Sequence, residues 1–199
     1  MKKLIVIFTT IILIVGCSKD DVSFTNSLSV EGLSIPFEDV VYADFGAVVS
    51  EDHFQRIYWF YDSEVEIGTE TISCEDCTYY VVVNLLSKTS TEEFSGGNFT
   101  NVNFQSNAFA YDADENYARI FVYEIIPPVG EIIPNPQLRY AAADGSVTVK
   151  SGSKHTVIFK GKLWKMNEVE TVIEQVSFSG SFSGTAEDTS FMFEKKYVR

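Results

Sequence analysis

Residues 155–163 place Val157, Phe159, Gly161 and Leu163 at every second position. A repeat of two marks a half-buried strand, because successive side chains point to opposite faces of a sheet. Long stretches of the chain carry no helical repeat. The one segment open to a helical reading, 170–176, contains the β-branched run Thr171, Val172 and Ile173, which favours a strand. Further strands are predicted at 28–30 and 33–35, flanking Gly32 in a hairpin, and at 40–49, 54–61, 79–86, 146–149, 172–181 and 191–198. The run 54–61 is aromatic enough for burial on both faces, and 79–86 is apolar without a break, as in a central strand. Residues 102–111 and 118–126 are read as the arms of a hairpin around 112–116, and 94–99 as containing a turn.

Four of the five prolines lie between Pro127 and Pro136. Proline has no N–H for a ladder, so this window is read as a long loop or an edge crossing rather than a sheet interior. The C-terminal remainder, 137–199, is too short to stand alone, so one domain is expected. The 10 Tyr and 16 Phe, with frequent Val, Thr, Ser and Gly, complete an all-β composition.

The N-terminus is of a different kind. Met1-Lys2-Lys3 precedes an apolar run over 4–15 that only Thr9 and Thr10 interrupt. A basic start followed by about a dozen apolar residues reads as a secretory signal peptide; a membrane span would need roughly 20. Ile14-Val15-Gly16-Cys17 resembles the bacterial lipobox. That resemblance implies cleavage before Cys17 and a diacylglycerol on its thiol. Each buried lipid methylene would contribute about 0.8 kcal/mol, so two or three chains would hold the protein durably in a membrane. Ser18-Lys19-Asp20-Asp21 resembles the acidic export tag of Bacteroidetes lipoproteins, which implies the outer membrane and the cell surface; the alternative is the periplasmic face. The expected organisation is a signal peptide over 1–16, a lipidated tether over 17–27 and an antiparallel β domain over 28–199.

The net charge of −13 becomes more negative by two once Lys2 and Lys3 are removed. Phosphate backbones demand Lys and Arg, so nucleic acid is excluded as a partner. The membrane is engaged through the lipid alone.

Gly145-Ser146-Val147-Thr148-Val149, Thr156-Val157-Ile158-Phe159, Gly161-Lys162-Leu163 and 179–184 (Ser-Gly-Ser-Phe-Ser-Gly) resemble the glycine-punctuated strand endings of small Bacteroidetes surface lipoproteins of uncharacterised function. The resemblance covers about 40 residues. It implies a single antiparallel β-sandwich or a flattened, lipocalin-like barrel, and it brings no catalytic residues.

Several residues remain as candidate sites. Cys74 and Cys77 lie between two strands with no second cysteine pair. That context favours a disulfide in an oxidising compartment over a zinc site, which needs about four ligands, or a redox motif, which needs a helix N-terminus. Asp112, Asp114 and Asn116 place oxygen ligands at the spacing that opens a calcium loop, but Tyr117 and Tyr123 stand where its glycine and glutamate should be. Calcium is kept as a weak candidate beside an ordinary turn. Tyr58, Trp59, Tyr61, Tyr79, Tyr80 and Trp164 could form a platform for sugars or line a cavity for an apolar ligand; the plainer alternative is core packing. Nucleophile elbows, zinc helices and phosphate loops are absent, and His53 and His155 read as strand-end residues, so no enzyme is expected. The expected function is a membrane-anchored envelope lipoprotein acting as a structural or protein-interaction module. The alternatives are a glycan- or apolar-ligand-binding module and, last, a hydrolase.

Overall fold

The computed structural model describes residues 23–48, 53–88, 94, 96–104, 112, 114–126, 135–169 and 171–193. Residues 1–22, which hold the segment read as a signal peptide, Cys17 and the segment read as an acidic tag, lie outside the described residues. The chain is built almost wholly of strands, in a large curled mixed sheet that forms a half-barrel.

β1 (Ser27–Val30) and β2 (Leu33–Pro36) are joined by a two-residue turn. Glu31 and Gly32 both take positive φ there, as the tightest hairpins require. β3 (Asp39–Val48) and β4 (His53–Tyr61) come next. A bulge between Asp44 and Gly46 re-aims β3 against its partner, and Gly46 supplies the positive φ. A small separate hairpin, β5 (Glu66–Ile67) and β6 (Ile72–Ser73), leads into β7 (Tyr79–Ser87). The chain continues through β8 (Gly97–Asn101), β9 (Tyr117–Ile126), β10 (Asn135–Lys150), β11 (His155–Met166), β12 (Val172–Gly184) and β13 (Glu187–Asp188). A 3₁₀ turn, Ser190–Met192, lies after β13.

The main sheet runs β13-β3-β4-β7-β9-β8-β10-β11-β12-β1-β2. Its pairings are antiparallel except β8 with β9 and β13 with β3. The long β10 changes partner along its length: Asn135–Ala141 pairs with β9, and Ser146–Val149 with β8. The change falls at a bulge between Ala142 and Asp144, beside Gly145. Gly145 faces Gly161 across β11, both with positive φ. A Cβ on Gly161 would stand 2.6 Å from the Gly145 Cα, so only glycine allows this approach.

The concave face is the core. Tyr58, Phe60, Val83, Ile120, Phe159 and Leu163 are fully or almost fully buried in it. Burying each such side chain contributes about 1.5–3 kcal/mol relative to exposure. On β11 the buried set is His155, Val157, Phe159, Leu163 and Met166, as the period-two repeat requires up to the irregularity at Met166.

Several expectations are corrected. Of the expected hairpin 102–111/118–126, residues 105–111 lie outside the described residues; β9, its second arm, lies between β7 and β10 and meets β8 in parallel. Within 94–99, read as containing a turn, residues 97–99 belong to β8 and residue 95 lies outside the described residues. Of the proline window, 127–134 lies outside the described residues, and Asn135 and Pro136 open β10, a position where a missing N–H is tolerated. Of 191–198, read as a last strand, Phe191 and Met192 belong to the 3₁₀ turn and 194–198 lie outside the described residues. The run 54–61 is also not buried equally on both sides, because alternate residues are fully and partly buried.

Candidate functional site

The convex face of β4, β7 and β9 carries a row of phenol rings. Register aligns Tyr61 with Tyr80 and Tyr80 with Tyr123. Ring centroids are 5.9 Å apart for the first pair and 4.9 Å for the second, both stacked. On the same face of β4, Trp59 stacks on Phe193 at 6.0 Å. The excursion between β4 and β7 stands over this row. Asp62 holds its base, accepting hydrogen bonds from the Thr78 and Tyr79 amides at 3.0 and 2.9 Å. Burial pushes the Asp62 carboxyl up, and those amide bonds counter part of the rise. Further along, Cys74 and Cys77 are joined in a disulfide with Cα atoms 5.5 Å apart. The bond makes a rigid corner between β6 and β7.

Between loop and sheet lies an open cleft of about 680 Å³, lined by Trp59, Tyr61, Tyr80, Ile72, Ser73, Cys74, Glu75, Ile125 and Pro136. That volume is within the range of small-molecule sites, roughly 300–1,000 Å³. Most of the lining is apolar, with Ser73 and Glu75 as its polar and charged residues. Burial, then the nearby Asp39 charge, pushes the Tyr61 phenol up to about 12. Burial raises Tyr80 as well, followed by its tyrosine neighbours. Both therefore stay protonated near neutral pH, able to donate and to accept.

Of the six rings singled out in the sequence, three meet at this cleft: Trp59, Tyr61 and Tyr80. The others do not. Tyr58 has the opposite parity on β4 and lies wholly inside the core. Tyr79 turns to the concave side, where it lines a recess of about 210 Å³ with Leu33, Tyr140 and Lys165 and reaches Glu124 at 3.5 Å. Trp164 is on the convex side but away from the cleft. It packs beside Leu138 and Ala141, and its Nε1 donates to Asn103 Oδ1 at 2.9 Å.

Asp112, Asp114 and Asn116 are used in local structure. The Asp114 amide donates to Asp112 Oδ1 at 2.9 Å, a side-chain turn. Asn116 accepts from the Lys88 amide at 2.8 Å and donates to the Asn98 carbonyl at 3.1 Å, so its amide ties strand ends together. Among the described residues no three His, Cys, Asp or Glu side chains stand close enough to hold a metal ion.

A buried polar cluster was not anticipated. Arg56 is 7% exposed. Its Nε and Nη2 each donate to Asp44 at 2.6 Å. Nη1 donates to Ser151 Oγ at 3.1 Å and to Tyr58 Oη at 3.4 Å. Tyr58 Oη also shares a hydrogen bond with His155 Nδ1, 2.8 Å away. The guanidinium also lies over the Tyr42 and Phe94 rings, 4.4 Å from each centroid. Burial opposes the charge on Arg56, but its bonds to Asp44 more than offset this and raise its pKa. His155 is pushed down by burial and by Arg56. The cluster is a paired structural network on the core side, facing away from the cleft.

Sequence reasoning also missed Ile72, Glu75, Ile125 and Pro136 in the cleft, and Tyr123 and Phe193 behind it. For Tyr123 the alternation of β9 was the available signal. The others are brought in by contacts distant in sequence. Comparison with protein-family models, with curated proteins and with solved structures yields no match for this chain.

Proposed function

We propose that this chain is a lipid-anchored lipoprotein of the bacterial cell envelope whose β domain binds a small molecule or glycan in the cleft above β4 and β7. The observation that carries the binding part is the convergence of Trp59, Tyr61 and Tyr80 on one open cleft of about 680 Å³. Here Trp59, Tyr61 and Tyr80 line one open space together with apolar side chains and a few polar ones. This is the composition of a ligand pocket: mostly apolar surface and a few polar groups that orient the guest. Anchoring rests on the signal-like N-terminus and Cys17, with the outer membrane and cell surface as the proposed location.

Two measurements test the two halves. For the anchor, Cys17→Ala should move the protein from the membrane to the soluble fraction; unchanged partitioning would sink that half. For the cleft, Trp59 fluorescence should shift saturably with at least one member of a panel of soluble glycans and small apolar compounds, and the shift should vanish in Tyr80→Ala. A panel without any saturable response would remove the binding reading.

A structural or protein-interaction role is the second reading. It is favoured by Val169 and Ile173, which are 76% and 56% exposed at the β11–β12 connection. Apolar side chains this open at one hairpin suit a protein partner.

A further inference from the structure

We infer that the cleft is selective for an organic cation, an ammonium group carried on an apolar body, and rejects anions of the same shape. This rests on the reading of the cleft as a ligand site and names the chemistry of its guest. Three features carry it.

The first is charge. Glu75 lines the cleft, and no Lys or Arg does so among the described residues. Of the excursion 62–77, residues 72–75 line the cleft while Glu64, Glu66 and Asp76 line a neighbouring recess that shares Ser73 and Glu75, and the whole excursion carries six acidic residues and no basic one. An anion entering here meets an uncompensated carboxylate and, beyond it, a chain of net charge −13. A cation is drawn in by the same field.

The second is ring geometry. Tyr80 is sandwiched between Tyr61 and Tyr123, so neither of its faces is open. Trp59 has Phe193 on one face, and Tyr61 has Tyr80 on one. Each therefore keeps a face with no second described ring against it, and both line the cleft. An ammonium over an aromatic face is attracted by the ring's negative quadrupole, most strongly at Trp. An anion over the same face is repelled.

The third is the remaining wall. Ile72, Ile125 and Pro136 offer apolar contact and no charge, so the guest must have an apolar body as well as a cationic head. A bare metal ion fits none of this, consistent with the lack of a metal-holding cluster among the described residues.

The test uses the purified full-length protein in a non-ionic detergent with three probes that share a benzyl or phenyl body: benzyltrimethylammonium, benzyl alcohol and benzoate. Binding is followed by Trp fluorescence and by titration calorimetry. Benzyltrimethylammonium should bind at least about threefold tighter than benzyl alcohol, the gain expected of one exposed cation–π contact. Benzoate should bind weakest. Glu75→Gln should weaken the cation and leave benzyl alcohol unchanged, and added salt should do the same. Glu75 is exposed, so this variant keeps its fold, and circular dichroism verifies that. Equal binding of the three probes would overturn the charge inference while the cleft remained a ligand site. Saturable binding of glycans but not of benzyltrimethylammonium would also overturn it and leave the broader reading intact. Failure of every probe and every glycan would remove both.

Discussion

Asp44→Asn is expected to cost about 3 kcal/mol of stability. The variant keeps the shape of the side chain and removes its charge, so the buried Arg56 guanidinium loses its paired carboxylate and keeps only the through-space field of Asp188. Breaking a buried pair by removing one member typically costs about 3–5 kcal/mol, because the partner's desolvation is no longer offset. The low end applies here for two reasons visible in the structure. The Asp44 side chain is 27% exposed against 9% for Arg56, so water screens one side of the pair. Arg56 also keeps Ser151, Tyr58 and the faces of Tyr42 and Phe94. For a domain of this size each kcal/mol moves Tm by roughly 2–4 °C, so Tm should fall by about 6–12 °C. Thermal and urea unfolding of the wild type, Asp44→Asn, Arg56→Met and the double variant Asp44→Asn/Arg56→Met measures this. The double variant buries no charge and should lose less than the two singles together, with a coupling of about 2 kcal/mol. A loss below about 1 kcal/mol in Asp44→Asn, or strict additivity in the double variant, would refute the idea that this pair matters through an uncompensated charge.

Stability should also depend on pH at both ends. Tyr61 is raised in the fold to about 12, from an ordinary value near 10. Its contribution is complete below pH 10 and is lost as pH climbs toward 12, amounting to about 2 kcal/mol. Tyr80 and Tyr58 are shifted in the same direction by burial and sharpen the loss, which tyrosinate absorbance and circular dichroism would follow together. Ionisation that precedes unfolding would contradict it. His155 has the opposite sign. Burial and Arg56 lower it from 6.5, so its contribution is present above that pH and fades as pH falls through the folded value; His155→Phe should flatten the acid limb below pH 6.5. Gly161→Ala should cost roughly 2–3 kcal/mol or more, since the new methyl group meets the Asp144–Gly145 backbone at a φ of +148°; a value under about 1 kcal/mol in chemical denaturation would mean that β10 and β11 move apart freely. The Cys74–Cys77 bond closes a very short loop, so reducing it should cost at most about 2 kcal/mol, while changing Trp59 fluorescence because the cleft wall loses its corner.

How far the residues alone could reach is clearest at β4. Its aromatic run announces a strand, but Arg56 sits on one parity and Gln55 on the other, so neither face declares itself the polar one. Trp59 and Tyr61 were therefore inseparable from Tyr58 until Val81, Val83, Ile120 and Phe159 settled which side is the core. The same ambiguity misplaced Tyr79 beside Tyr80. At β11 no such conflict exists, because Val157, Phe159 and Leu163 share one parity and Lys160 and Lys162 the other, and the face is legible at once. Pairings between distant segments were harder still. The parallel meeting of β8 with β9 and the change of partner along β10 depend on chain crossings that no local pattern encodes. The Arg56 cluster draws its members from β3, β4, β11 and the turn after β10, and the cleft borrows Ile72, Glu75, Ile125 and Pro136 in the same way.

The phenol row and the core are consequently one specification. Phe60 pairs with Val81, and Val81 with Val122, on the concave side; their neighbours Tyr61, Tyr80 and Tyr123 align on the convex side through the same register. A slip of one residue on β7 would carry Tyr80 into the core and push Val81 out, because strand faces alternate with period two. The fully buried Val81, Val83 and Val122 resist such a slip, since each would give up most of its burial. The arrangement of the cleft rings is thus held by residues that never touch a guest, and core substitutions on β7 should disturb binding at the cleft before they unfold the sheet.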